Sequence, residues 1–71
     1  MPTTHFSVPA MLTQNDADAV LFELQDLPCI HVADVDLAGR TAWVEHTNFI
    51  SAEEIAAAIE EAGYPATVVQ D

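Results

Sequence analysis

The stretch "IHVADVDLAGRTAWVEHT", residues 30–47, decides how the remainder of the chain must be arranged. Its halves, "IHVADVDL" and "RTAWVEHT", alternate apolar with polar residues and are rich in the β-branched and aromatic side chains that suit a pleated surface. Ala38-Gly39 lies between them, so the pattern predicts a β-hairpin. A two-residue turn there pairs Val35 with Ala42 and Ala33 with Val44, which keeps residues of one face opposite each other. The same register carried outward sets His31 across from His46 and turns Val32 and Trp43 to the other face.

Working outward, a helix is expected on each side of the hairpin. Before it, Ala17, Val20, Leu24 and Leu27 recur at helical spacing and Thr13 is placed to cap the N-terminus. Asn15, Asp16 and Asp18 add polarity and charge where the helix dipole favours them, and Pro28 ends the run. After the hairpin, "SAEEIAAAIEEAGY" opens on Ser51 and Glu54 as a capping box and closes at Gly63. Farther out lie two short strands: "HFSV", with Phe6 and Val8 on one side and Pro9 as its stop, and "ATVV" after Pro65. The order is βαββαβ within a single domain over residues 1–71. An α+β, ferredoxin-like sandwich satisfies that order and the handedness of its crossovers: a four-stranded antiparallel sheet with two helices on one face. This architecture hosts many functions, so particular residues have to carry the function.

Composition bounds what such a domain can do. A single core in a chain of 71 residues supplies only about 3 to 5 kcal/mol. Hydrophobic residues make up 51%, too many for a disordered segment. Twelve acids face one base, Arg40, and the formal charge of -11 repels phosphates and anionic headgroups. Neither nucleic-acid binding nor membrane insertion is expected. Such charge keeps a small protein in solution and also suits a basic partner. The lone Cys29 cannot form an internal disulfide, and "MPTTHFSVPAML" lacks the basic and long apolar regions of a secretory signal. No apolar run reaches membrane-spanning length, so a cytoplasmic domain is expected.

Val8 and Met11, Val20 and Leu24, "LPCIHVADVDL" and "IEEAGYPATV" together resemble the heavy-metal-associated domain. That small module serves as a copper chaperone, as the N-terminal domain of metal-pumping P-type ATPases and at the head of mercuric reductases. Where the family tends to read Leu-Pro-Gly-Val, this chain has "LPCI", and its Ala-Gly-Tyr after the second helix is the most specific shared segment. The family's ligand signature is Met-Thr-Cys-x-x-Cys, and the matching positions here are Met11, Leu12, Thr13, Gln14, Asn15 and Asp16, with neither cysteine. Soft ions such as Cu(I) and Hg(II) seek thiolates, so the family's metal chemistry does not carry over to a hydroxyl and a helix-capping carboxylate. Thr13 and Asp16 are expected to act as N-cap and first-turn acid, together worth roughly 1 to 2 kcal/mol. Met11 and Tyr64, which in the resembling family lie beneath the metal loop, are expected to pack in the core.

The remaining metal donors fall elsewhere. In this topology the start of the first strand, the start of the second and the end of the third meet at the pole opposite the one where the resembling family binds metal. That pole would gather His5, Cys29, His31 and His46. Directly opposed strand residues have Cβ atoms about 4.5 to 5.5 Å apart, which suits His31 and His46 sharing one ion. Cys29 or His5 would complete a site for one divalent Zn, Ni, Co or Cu ion. Against this stands the reading of ordinary strand-end histidines and a small apolar thiol, and a bulge in the second strand would turn His31 away. Val32, Trp43 and, on the first helix, Phe22 exceed what one core needs and mark an interaction surface where contiguous. Cys29 and His31 could be drawn as a nucleophile and base, but no third group orients the base and no glycine-rich loop accompanies them.

The expected function is therefore a non-catalytic transition-metal-handling domain, stand-alone or the N-terminal cytoplasmic module of a P-type ATPase. A histidine-based site or a regulatory role would replace Cys-x-x-Cys, with a metal ion and the rest of the ATPase or a second copy as partners. The alternative is a metal-free protein-interaction or oligomerisation module that keeps the fold.

Overall fold

The computed structural model describes residues 2–69, and its elements follow the expected order. They are β1 (Thr3–Ser7), α1 (Gln14–Asp26), β2 (Ile30–Asp36), β3 (Thr41–His46), α2 (Ala52–Glu61) and β4 (Thr67–Val69). The sheet has the strand order β2-β3-β1-β4 with every neighbouring pair antiparallel, the ferredoxin-like arrangement, and α1 packs on β2 and against α2.

Local chemistry sets the helix ends. Thr13 is extended, its Oγ1 accepts the Asp16 N–H at 3.1 Å, and Asp16 Oδ2 accepts the Thr13 N–H at 3.1 Å, closing a complete capping box. At α2 the expected box is only half made. Ser51 Oγ accepts the Glu54 N–H at 3.2 Å, while the Glu54 carboxylate takes the Ser51 hydroxyl at 3.4 Å instead of the Ser51 N–H. The C-terminus of α2 closes as a Schellman motif: Gly63 sits at φ +101°, its N–H donates to Glu60 O at 2.9 Å, and the Tyr64 N–H donates to Ile59 O at 3.2 Å. This turn returns Tyr64 toward the core instead of releasing it to solvent.

Alternation along the strands builds one apolar layer. Phe6, Ala42 and Val44 meet Ala17, Val20 and Leu24 of α1 and Ile55 and Ile59 of α2, while Val8, Met11, Ile50 and Ala66 close the ends. Fully burying a large aliphatic or aromatic side chain is worth roughly 1.5 to 3 kcal/mol, so Phe6, Met11, Leu24, Ile55 and Ile59, all fully buried, dominate this core.

The hairpin keeps the expected pairs Val35↔Ala42 and Ala33↔Val44, with one correction. The connecting residues Leu37-Ala38-Gly39-Arg40 form a turn centred on Ala38-Gly39, closed by the Arg40 N–H on Leu37 O at 3.1 Å. Its left-handed residue is Arg40 (φ +52°). At the other end the ladder reads Val32↔Glu45 and then Ile30↔His46, so His31 is the extra residue of a β-bulge and does not oppose His46. The start of β2 is pinned in this offset by Cys29, whose left-handed backbone (φ +67°) presents its carbonyl to the Thr47 N–H at 3.0 Å.

Candidate functional site

At one pole the end of β1, the hairpin loop, the start of α1 and the segment after α2 converge. The Val8 N–H donates to Arg40 O at 2.8 Å, and the Met11 N–H donates to Val8 O at 3.0 Å, turning the chain into the loop that precedes α1. Met11 is fully buried beneath that loop, as expected. Asp16 is the hub. Its Oδ2 accepts the N–H groups of Leu12 at 3.0 Å and Thr13 at 3.1 Å, and its Oδ1 accepts the Tyr64 hydroxyl at 2.8 Å. The Tyr64 hydrogen bond, followed by that from Leu12, holds the Asp16 carboxyl below the usual carboxylate range, and the same bond to a carboxylate pushes the Tyr64 phenol up.

Thr13 and Asp16 thus have the structural roles expected of them, but Tyr64 does more than pack. It joins the segment after α2 to the start of α1 across 48 residues of sequence. The signals for this bond were an acid at the third helical position and a tyrosine directly after the helix-stopping Gly63. With both oxygens occupied and no thiol in the loop, the pole offers a soft ion no thiolate. The loop also carries an exposed apolar side chain, Leu12, at 62% exposure.

The opposite pole also assembles as the topology requires. The His46 N–H reaches Pro2 O at 3.0 Å and the Thr47 N–H reaches Cys29 O. Its four metal donors nevertheless diverge. His46 points inward, 5% exposed, and its Nδ1–H donates to Thr47 O at 2.8 Å. A carbonyl only accepts, so Nδ1 carries a proton, and Nε2 is hydrogen-bonded with the Thr4 hydroxyl at 2.8 Å. Both ring nitrogens are used. His31 is exposed on the bulge, Cys29 is exposed before it, and His5 lies mid-strand opposite Trp43 on the outer face of the sheet. Among the described residues, no three His, Cys, Asp or Glu side chains stand where one metal ion could join them.

Val32 and Trp43 share the outer face of the sheet, as expected. Phe22 is 71% exposed but belongs to the helix layer, so it does not extend their patch. Phe49, which no periodic pattern in the sequence marks, stands 90% exposed between β3 and α2. The described residues form no pocket, and no helix among them is long and apolar enough to cross a membrane.

No family model and no protein of curated function matches the chain by sequence. Solved structures do match it. A copper-binding domain from HMA7, a P-type ATPase, superposes with a TM-score of 0.94 at 25% identity, covering 99% of this chain and 96% of that one. Oxidised MerP from Ralstonia metallidurans gives a TM-score of 0.93 at 27% identity, covering 97% of each chain. The Cu(I)-loaded first domain of the human copper chaperone for SOD1 gives 0.82 at 30% identity, covering 93% of this chain and 89% of that one.

Proposed function

The chain belongs to the heavy-metal-associated domain family, and from that premise we propose that it is a non-catalytic docking module of transition-metal handling that binds protein and holds no ion of its own. The observation that carries this reading is the state of Asp16: three hydrogen bonds, from Tyr64, Leu12 and Thr13, close the loop that precedes α1 without a metal. The inward His46, with both nitrogens engaged, supports it from the other pole. A reduced lone thiol and a strongly acidic surface suit a cytoplasmic module, whether stand-alone or joined to an ATPase.

One observation favours a second reading. Cys29 and His31 are both exposed and flank Ile30 at the bulged entry to β2, a two-donor set for surface binding of Zn, Ni, Co or Cu that leaves out His46 and His5. Titrating the reduced protein with Cu(I), Zn, Ni and Co while following imidazole NMR signals and Cys29 alkylation separates the two. Docking predicts no one-to-one saturation. A stoichiometric response at His31 together with protection of Cys29 replaces docking by metal capture.

A further inference from the structure

On the outer face of the sheet, the antiparallel register places four residues in one row across every strand: Asp34 of β2, Trp43 of β3, His5 of β1 and Val69 of β4. Val32 and Glu45 form the adjoining cross-strand pair. Val32 is 44% and Val69 41% exposed, Asp34 and His5 are open to solvent, and Trp43 and Glu45 are half-covered by their neighbours. Both helices lie on the other side of the sheet, so no described element shields this face. The row sets an indole between a carboxylate directly across the ladder and another two residues along its own strand.

We propose that this face docks a basic polypeptide segment, with an arginine seated on Trp43 between Asp34 and Glu45 and the segment's apolar side chains on Val32 and Val69. The proposal rests on the docking reading above and names its partner class. Charge selects the occupant. A second copy would bring its own -11 to the same carboxylates, and nucleic acid or lipid would bring phosphates; all are repelled. A guanidinium does the opposite, because its plane stacks on an indole while its edge donates to carboxylates, which matches the two kinds of group in this row. Strand addition at a sheet edge is the other way to hold a segment, but β4 offers only the three described residues Thr67–Val69 and the β2 edge is blunted. The His31 bulge interrupts it, and Asp34 Oδ1 accepts the Val35 N–H at 2.8 Å. The segment therefore lies across the face.

Trp43 is the chain's single tryptophan, so its indole N–H signal and emission report on this site alone. A blocked hexapeptide alternating arginine and valine should shift both saturably, with amide changes confined to His5, Val32, Asp34, Glu45 and Val69. The same peptide with glutamate for arginine should leave them unmoved. In Asp34→Lys/Glu45→Lys, whose fold is checked by an unchanged amide pattern in the helices, affinity should fall by about tenfold or more. Three results overturn the proposal: shifts that map to acids of α1 and α2 with Trp43 silent, undiminished affinity of the charge-reversed variant, or a free protein that sediments as a dimer. Each of these fails the site alone if metal titration shows no binding. One-to-one metal capture at Cys29 and His31 fails the docking reading itself.

Discussion

Thr13→Cys/Asp16→Cys, made in a Cys29→Ser background so that only new thiols count, returns the two cysteines to the loop and separates its scaffold from its chemistry. In the apo state the substitution removes the Thr13 Oγ1 cap on the Asp16 N–H and the reciprocal bond from the Thr13 N–H, both 3.1 Å. Loss of an N-cap costs about 1 kcal/mol. The Leu12 and Thr13 N–H groups freed by removing Asp16 are exposed and turn to water, and Tyr64 loses its partner. With a urea slope of about 1 kcal/mol per molar for so short a chain, the unfolding midpoint should fall by roughly 1 M. Cu(I) should then reverse the loss: a ligand at 100 times its Kd stabilises by about 2.7 kcal/mol, so the loaded variant should be more stable than the parent. The assay is urea unfolding followed by Trp43 emission under reducing conditions, with and without Cu(I). The parent should not respond to the ion. If it gains as much as the variant, metal binding does not depend on the missing cysteines and the docking reading fails. If the variant gains nothing, the loop is not the family's metal scaffold.

Other outcomes follow from single contacts. Asp16 titrates below its unfolded value, so its ionisation stabilises the fold above about pH 3.9 and that contribution vanishes as pH falls through the lowered value. Tyr64→Phe should move the Asp16 carboxyl back up toward the ordinary range in carbon-13 NMR and flatten the acid limb of the stability curve. His46→Leu leaves the Thr4 hydroxyl and the Thr47 carbonyl without their 2.8 Å partners and should lower stability by about 2 kcal/mol, read by thermal melting. Cys29→Gly relieves a left-handed backbone at φ +67° that costs an L-residue about 1 kcal/mol, partly offset by the freer unfolded chain. A small gain in urea midpoint is expected, because the contact that pins this turn is made by the Cys29 carbonyl. Neither helix has a base in its last turn, and Glu60 and Glu61 oppose the dipole of α2, so added salt should raise the melting temperature by screening.

Short-range interactions were legible in the sequence and long-range ones were not. Thr13 with Asp16, Ser51 with Glu54 and Gly63 after α2 act within one helical turn, so the helix ends could be read from neighbouring residues. Val35↔Ala42 and Ala33↔Val44 were legible because a turn centred on Ala38-Gly39 fixes the register and period-two alternation then keeps both pairs inward. The error came where one residue mattered. A left-handed Cys29 shifts the start of β2 by a single position, which replaces His31 by Ile30 opposite His46 and disperses the histidine site.

The amino-acid order by itself determined the βαββαβ arrangement, the caps, the inward face of the hairpin and the absence of thiolates at Thr13 and Asp16. Only the tertiary structure decided what the polar side chains at the two poles do. Tyr64 finds Asp16 across 48 residues and Thr4 finds His46 across 42, and neither pair leaves a periodic trace in the chain. Periodicity records which face of an element is buried. The partner that satisfies a polar group on that face is chosen by three-dimensional proximity, because a donor or acceptor held away from water must be paired with whatever the fold brings within reach.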